Sequence, residues 1–123
     1  MLKKCLSAIL LSLVVSVAYA DAPVMVHVKG NMTNEPFELN SLQWGYQFNN
    51  ETGKTITFTA TVADTAHGWV NMQCWHGVDV ENSWVKPGET SKPCVTTDTV
   101  RLVTGGEVSL PASGTYNITV GSN

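Results

Sequence analysis

The sequence of 123 residues contains few charged side chains and no excess of basic ones. Charged residues make up 14% of the chain, and ten acidic residues outnumber seven basic ones, which gives a formal net charge of −3. Proteins that bind nucleic acids need Lys and Arg to neutralise phosphates, so this composition excludes that class of function. A chain of this length forms one domain.

Helix-forming residues are scarce, and helical periodicity is absent. After residue 20 the chain has 14 Thr and 13 Val but only four Leu and five Ala, a composition typical of β-sheets. No stretch of eleven or more residues repeats apolar side chains at the spacing i, i+3, i+4 and i+7. We therefore predict an all-β fold.

Motifs of the common enzyme classes are also missing. The sequence has no H-E-x-x-H, no G-x-S-x-G, no phosphate-binding glycine loop and no C-x-x-C. His27, His67 and His76 are potential general bases, but no motif places a nucleophile beside any of them. We predict a non-enzymatic protein that uses no cofactor.

The first twenty residues have the parts of a secretory signal peptide. A lysine pair precedes an apolar run at residues 6–17, and an A-x-A cleavage site ends at Ala20. The run is shorter than the ~20 residues of a membrane-spanning helix. The short basic and apolar regions are typical of bacteria, so we predict cleavage after Ala20 and export to the periplasm or beyond. Residues 21–123 would then form a single domain without a transmembrane segment.

Removal of the signal peptide changes the charge and the cysteine count. Residues 21–123 keep ten acidic and five basic side chains, a net charge of −5 that disfavours binding to anionic membranes or polyanions. Cys5 is lost, so Cys74 and Cys94 form the one possible pair. In an exported chain this pair predicts a disulfide, and closing a loop of about 20 residues contributes roughly 3 kcal/mol in the chain-entropy model.

Apolar and polar side chains alternate in several short segments, as they do in strands with one buried side. The clearest segment is residues 54–62, in which four apolar residues at even positions alternate with threonines. Residues 24–28 and 116–120 alternate in the same way. In a further segment, Leu42–Phe48, we predict that Leu42, Trp44, Tyr46 and Phe48 all face the core.

Glycine, asparagine and proline mark turns between these segments. We predict a short hairpin loop at Asn49–Gly53, a turn at Lys86–Glu89, and a two-residue hairpin at Gly105-Gly106 that joins strands at residues 101–104 and 107–110. Seven or eight short strands in about 100 residues are typical of a small antiparallel β-sandwich or barrel, and we predict the sandwich.

The segment from Trp69 to Trp75 separates aromatic and amide side chains from apolar ones. One side of the predicted strand carries Trp69, Asn71, Gln73 and Trp75. The other side carries Val70, Met72 and Cys74. If the cysteine faces the core, the indoles and amides face outward, where they suit stacking on sugar rings and hydrogen bonding to hydroxyls. The opposite orientation, with both indoles in the core, is the alternative.

The outward orientation predicts a binding module for a glycan or for a protein surface. His76 and Trp84 are further candidate members of this site, although Trp84 would also serve to cap the sandwich. His67, Met72, Cys74 and His76 lie within ten residues and offer the sulfur and imidazole ligands that suit copper. The histidines lie at or beyond the strand ends and Cys74 is needed for the disulfide, so we predict no metal site.

Residues 109–116, with the sequence S-L-P-A-S-G-T-Y, resemble the S-G-x-Y-type segment of bacterial periplasmic lysozyme inhibitors. Those proteins are small exported β proteins whose loop Ser and Tyr contact the lysozyme cleft, so the resemblance implies that Ser113 and Tyr116 would do so here. The same kind of segment also ends prepeptidase-type sandwiches. The alternative function is therefore inhibition of a cell-wall lytic enzyme such as lysozyme.

A second resemblance involves residues 50–58, 67–69 and 85–89, which are similar to segments of aegerolysin-like and related β-sandwich cytolysins, although those chains are longer. It implies lysis of membranes as another function. Assembly into a surface fibre or coat through exposed strand edges is the structural alternative. Neither resemblance covers enough of the chain to assign it to a family.

Overall fold

The computed structural model describes residues 23–106 and 109–122. These residues contain nine β-strands and no α-helix, which confirms the all-β prediction. Within the same residues no helix has the length and apolar character needed to cross a membrane. The predicted signal peptide, residues 1–20, lies outside the described residues.

The nine strands form two sheets that face each other. The strands are β1 (Val24–Val28), β2 (Met32–Leu39), β3 (Gly45–Asn50), β4 (Ile56–Val62), β5 (Val70–His76), β6 (Asp79–Val85), β7 (Cys94–Thr96), β8 (Thr99–Thr104) and β9 (Ala112–Val120). One sheet has the order β1-β3-β8-β5-β6 and the other the order β2-β9-β4-β7. The parallel pair is β1 with β3, and the other pairings are antiparallel. The fold is the predicted sandwich, with one or two strands more than expected.

Aromatic rings from both sheets meet at the centre of the core. The ring of Phe48 on β3 lies 4.8 Å from that of Phe58 on β4 and 4.7 Å from that of Tyr116 on β9, measured between centroids. The apolar residues at even positions of β4 are no more than 1% exposed. The alternation predicted for residues 54–62 and 116–120 is therefore confirmed, because these strands place their apolar sides between the sheets.

The predicted disulfide is present and joins the two sheets. Cys74 lies on β5 of the five-stranded sheet and Cys94 on β7 of the four-stranded sheet, with Cα atoms 5.6 Å apart. Both cysteines are buried, as are Val70 and Met72 on the same side of β5. Successive side chains of a strand project from opposite sides, so the residues of β5 that alternate with Val70, Met72 and Cys74 project from the outer side of the five-stranded sheet.

Both predicted hairpins are wrong. The strands joined by the first belong to different sheets, and the strand predicted at residues 107–110 for the second is not found, since residues 109–110 are not in a strand and residues 107–108 lie outside the described residues. The segment at Asn49–Gly53 leads from β3 to β4, and Gly105-Gly106 leads from β8 toward β9, so each is a crossover between sheets. At the first crossover the Asn50 side chain donates to Lys54 O (2.7 Å) and accepts from Thr52 N (3.0 Å). The turn at Lys86–Glu89 is confirmed, with Glu89 N donating to Lys86 O at 3.0 Å.

The predicted core strand at Leu42–Phe48 begins later than expected. Asn40 and Gln43 exchange backbone hydrogen bonds of 3.0 and 3.2 Å, and this turn leaves Leu42 65% exposed. Trp44, which we expected in the core, is half-buried, whereas Phe48 is fully enclosed. The turn interrupts the predicted strand, because its backbone N–H and C=O groups form hydrogen bonds with each other and need no neighbouring strand.

We predict that Gly114→Ala destabilises the sandwich strongly. A Cβ atom at Gly114 would lie 2.0 Å from the carbonyl oxygen of Thr61 and 2.9 Å from the ring of Phe37, so the backbone of β4 would have to move. We expect the free energy of unfolding in denaturant to fall by about 3 kcal/mol. The control is Gly30→Ala, where no atom lies within 4 Å of the added Cβ. Equal effects of the two substitutions would contradict the packing of β9 against β4.

Candidate functional site

The outward side of the five-stranded sheet carries a continuous set of aromatic, amide and guanidinium side chains. Its members are Trp69, Asn71, Gln73 and Trp75 on or next to β5, Asn82 and Trp84 on β6, Gln47 on β3 and Arg101 on β8, and we call this set the outer face. The strand register aligns Gln47, Arg101, Gln73 and Asn82 in one row across four strands. Residues directly opposite each other in antiparallel strands project from the same side, so the row forms one surface.

The exposed end of the outer face is an indole pair. Trp69 is 44% and Trp84 50% exposed, and their rings meet edge to face with centroids 6.5 Å apart. Lys86 Nζ lies 4.9 Å from the centroid of Trp69, where the π face attracts a cation. Gly105 allows Trp84 to lie close to the sheet, because a Cβ there would be 3.3 Å from the ring. Trp84 is therefore the more accessible platform, and Trp69 supports it.

Trp75 and Gln73 line the other part of the outer face and are half-buried. A hollow of about 310 Å³ lies beside the Trp75 indole and is lined by Gln47, Trp75, Gly77, Asp98, Thr99 and Arg101. At its end, Asp98 Oδ2 accepts a hydrogen bond of 2.8 Å from the backbone N–H of Gly77 in the turn between β5 and β6. The hollow therefore combines an aromatic wall with hydrogen-bond donors and acceptors.

Asn71 differs from the expectation that it is an exposed amide. It lies on the outer side of β5 but is only 6% exposed, because Val103 and Trp84 flank it on the neighbouring strands. Its Nδ2 donates to Asn82 Oδ1 at 3.0 Å. Among the described residues neither Asn71 Oδ1 nor Trp75 Nε1 has a hydrogen-bond partner, although both atoms are buried. A buried polar atom without a hydrogen bond lowers the stability of the fold by about 1–3 kcal/mol. Proteins commonly tolerate such a loss of stability at functional surfaces.

A chain of side-chain hydrogen bonds orients Arg101 at the centre of the face. Arg101 Nε and Nη2 donate to Gln47 Oε1 at 2.9 and 2.6 Å. Gln47 Nε2 in turn donates to Asn49 Oδ1 at 2.9 Å. The sequence alone does not indicate these residues as part of the site, because they lie on β3 and β8 and only strand pairing brings them beside Gln73. Gln47 and Asn49 alternate with the apolar Phe48, and from this alternation a polar outward side of β3 could have been predicted.

His76 does not belong to the outer face. It shares the other side of β5 with Cys74, and its Nε2 lies 3.5 Å from Cys74 Sγ. Ligand atoms of Cys74, His76 and Glu81 lie within 4.8 Å of one another, but the sulfur of Cys74 is bonded to Cys94 and is not a thiolate. His67 lies apart from this cluster, with Nδ1 3.1 Å from the carbonyl oxygen of Leu110.

Ser113 and Tyr116 lie inside β9 and not in an exposed loop. Ser113 is half-buried beside a shallow hollow that Tyr46 and Glu38 also line. Tyr116 is buried among the core rings of Phe48 and Phe58. The expectation of a recognition loop at these residues is thus incorrect, because packing between the sheets accounts for the glycine and tyrosine of the S-G-T-Y segment.

Comparisons with known proteins do not place the chain in a family. No family model matches it, and no curated protein sequence matches it. Among solved structures, the chain is similar to the pre-peptidase C-terminal domain of a collagenase from Bacillus anthracis, with 12% identity and a TM-score of 0.49 over 81% of this chain and 97% of that one. The strands, the disulfide and the outer face define the class of protein by themselves: a disulfide-linked β-sandwich with an aromatic and amide surface.

We predict that Tyr116 makes the fold sensitive to alkaline pH. Burial raises the pKa of Tyr116 above its ordinary value of 10.0, and the negative charge of Glu35 adds to this effect. Because the folded state holds this proton more tightly than the unfolded state, its contribution to stability is complete below pH 10 and is lost as the pH rises through the folded pKa. Denaturant unfolding between pH 8 and 12 should show a smaller alkaline loss for Tyr116→Phe than for the wild type. An identical loss in both proteins would contradict the burial of this hydroxyl.

Proposed function

We propose that this chain is an exported, non-enzymatic module that binds a glycan through its outer face. The observation that carries the proposal is the orientation of β5. Cys74, Val70 and Met72 are buried, so the indole and amide side chains between them project away from the core. This arrangement was the condition on which the sequence-based hypothesis depended.

Trp84 has the properties of a stacking platform for a sugar ring. It is half exposed, and its edge-to-face contact with Trp69 holds the ring in place. Little side-chain entropy remains to be lost on binding, because an aromatic residue has two rotatable bonds and this one is already held. The apolar face of a pyranose ring would cover the indole and remove its apolar surface from water.

The amides and Arg101 supply the polar part of the same surface. Gln47, Arg101, Gln73 and Asn82 form a row of three amides, which both donate and accept hydrogen bonds, and one guanidinium, which donates them. Sugars present hydroxyl groups that both donate and accept, so such a row is chemically suited to them. A protein partner would favour a more apolar centre, because the fully buried core of a protein interface is more apolar than the rest of the surface.

The dimensions of the face favour an oligosaccharide over a single sugar. Trp69 and Trp75 are six residues apart along the strand, which corresponds to roughly 20 Å at ~3.3 Å per residue. A ligand that contacts both the indole pair and the hollow beside Trp75 must extend over that distance. The proposed ligand is therefore a chain of several sugars that lies along β5 and β6.

Export is part of the proposal, and it predicts the N-terminus of the working protein. The disulfide requires an oxidising compartment in most bacteria, and residues 1–20 have the features of a signal peptide. Mass spectrometry of the protein recovered outside the cytoplasm should show a chain that begins at Asp21. Recovery of the uncleaved chain from the cytoplasm, with Cys74 and Cys94 reduced, would contradict this prediction.

We predict that Trp84→Ala lowers glycan binding without unfolding the protein. The wild type should bind members of a printed array of bacterial, plant and animal glycans, and the substitution should lower the affinity for those glycans about tenfold or more. Trp84→Tyr keeps an aromatic platform and should retain most of the binding. Thermal unfolding of each variant shows whether the fold is intact.

The matched control for this experiment is Val95→Ala. Val95 is a similarly exposed apolar residue, 52% exposed, but it lies on β7 of the opposite sheet. Its loss should leave glycan binding unchanged. The proposed function is excluded if the folded wild type binds no glycan, or if Trp84→Ala and Val95→Ala bind as the wild type does.

A further inference from the structure

We propose that the glycan carries isolated carboxylate groups and that the guanidinium of Arg101 binds one of them. This inference rests on the proposed function and deepens it by naming the class of sugar, a uronic-acid residue within an otherwise neutral polysaccharide. Four features of the structure support it: the fixed orientation of Arg101, its lack of an acidic partner, the distribution of charge around it and the hollow beside it.

Arg101 is held in one orientation before any ligand arrives. Its Nε and Nη2 both donate to Gln47 Oε1, at 2.9 and 2.6 Å, and Gln47 is itself held by Asn49. These bonds occupy the side of the guanidinium that faces β3. The Nη1–Nη2 end remains available as a two-pronged donor, the geometry that pairs with a carboxylate.

Arg101 has no carboxylate partner in the part of the chain that the structure describes. Among residues 23–106 and 109–122, the ion pairs within 4.0 Å are His27 with Glu51 and Lys92 with Glu81. Arg101 is nonetheless half-buried, in a region, residues 21–123, that has ten acidic and only five basic residues. A partly desolvated guanidinium whose partner is only a neutral amide gains from an anion that arrives with the ligand.

The charge on the outer face differs in sign from the charge of the whole chain. Arg101 at the centre and Lys86 beside Trp69 are two of the five basic residues in the region 21–123. The acidic residue that borders the hollow is Asp98, in the bend before β8; its Oδ2 accepts the hydrogen bond from Gly77 N, and it forms no ion pair within 4.0 Å with Arg101 among the described residues. The face therefore attracts a single negative charge, while the net charge of −5 repels a densely charged polyanion.

The hollow beside Trp75 has room for the sugar that bears the carboxylate. It measures about 310 Å³, and Arg101, Gln47 and the Trp75 indole are among its walls. A pyranose ring against the indole would direct a carboxylate at its edge toward the guanidinium, whereas neighbouring neutral sugars would extend along β5 toward Trp84. A polysaccharide with one acidic sugar among several neutral sugars fits this surface, because the outer face has one arginine and its other side chains are aromatic rings and amides.

The test compares glucuronoxylan, a neutral xylan with occasional glucuronate branches, with the same polymer after chemical reduction of its carboxyl groups. We expect the purified exported protein to bind the native polymer at least about tenfold more tightly than the reduced one, because the charge-assisted, two-pronged hydrogen bond is lost. Arg101→Gln should bind both polymers with the same low affinity. Arg101→Lys keeps the positive charge but loses the two parallel N–H donors of the guanidinium, so its preference for the native polymer should be intermediate.

The charge control is Lys54→Gln, which removes a positive charge from the exposed turn between β3 and β4, away from the outer face. It should keep the preference for the native polymer, and thermal unfolding confirms that each variant is folded. Equal binding of the two polymers by the wild type, or an unchanged preference in Arg101→Gln, overturns the carboxylate assignment while glycan binding stands. Binding to neither polymer also overturns it, and in that case the printed array decides whether the proposed function fails with it.

Discussion

The bond between Cys74 and Cys94 joins the two sheets, and the orientation of the whole of β5 depends on it. With Cys74 held against β7, Val70 and Met72 must also point inward, since strand side chains alternate with a period of two. A shift of one residue in register would exchange the two sides, burying the indoles and exposing the apolar residues. The contact of Phe48 with Phe58 and Tyr116 holds the sheets together at a second point and stabilises the same register.

The outer face is a product of strand order as much as of strand composition. β5 contributes the stripe of indoles and amides, but the row that contains Arg101 exists because β8 lies between β3 and β5. Each of these side chains projects from a hydrogen-bonded sheet and not from a loop, so their spacing is set by the backbone. A surface of this kind is preorganised, and a ligand that fits it loses its own freedom but demands little further ordering of the protein.

The structure also separates residues that serve folding from residues available for binding. The S-G-T-Y segment, which resembles an inhibitor loop, is explained by packing: Gly114 lies against the Thr61 carbonyl and the Phe37 ring, and Tyr116 completes the aromatic core. Asn71 Oδ1 and Trp75 Nε1, in contrast, do not stabilise the fold. Within the described residues both atoms are buried without hydrogen-bond partners, which lowers the stability of the folded state. Both lie on the outer face, Asn71 beside Trp84 and Trp75 at the wall of the hollow.

Local pattern was enough to predict the all-β class, the disulfide and the inward sides of β4 and β9, because each depends on period-two alternation or on a single possible cysteine pair. For β5 the pattern separated the indoles and amides from Cys74, but it left open which side faces the core. The burial of Val70, Met72 and Cys74 in the folded domain decided that the stripe of Trp69, Gln73 and Trp75 faces outward. The two crossovers, the exposure of Leu42, the burial of Asn71 and the placement of Arg101 beside Gln73 were decided by tertiary structure. A turn signal shows that the chain reverses but not which sheet the next strand joins, and the cover over a side chain comes from strands distant in sequence. Neighbours across a sheet are set by the packing of the whole domain, which no short segment encodes.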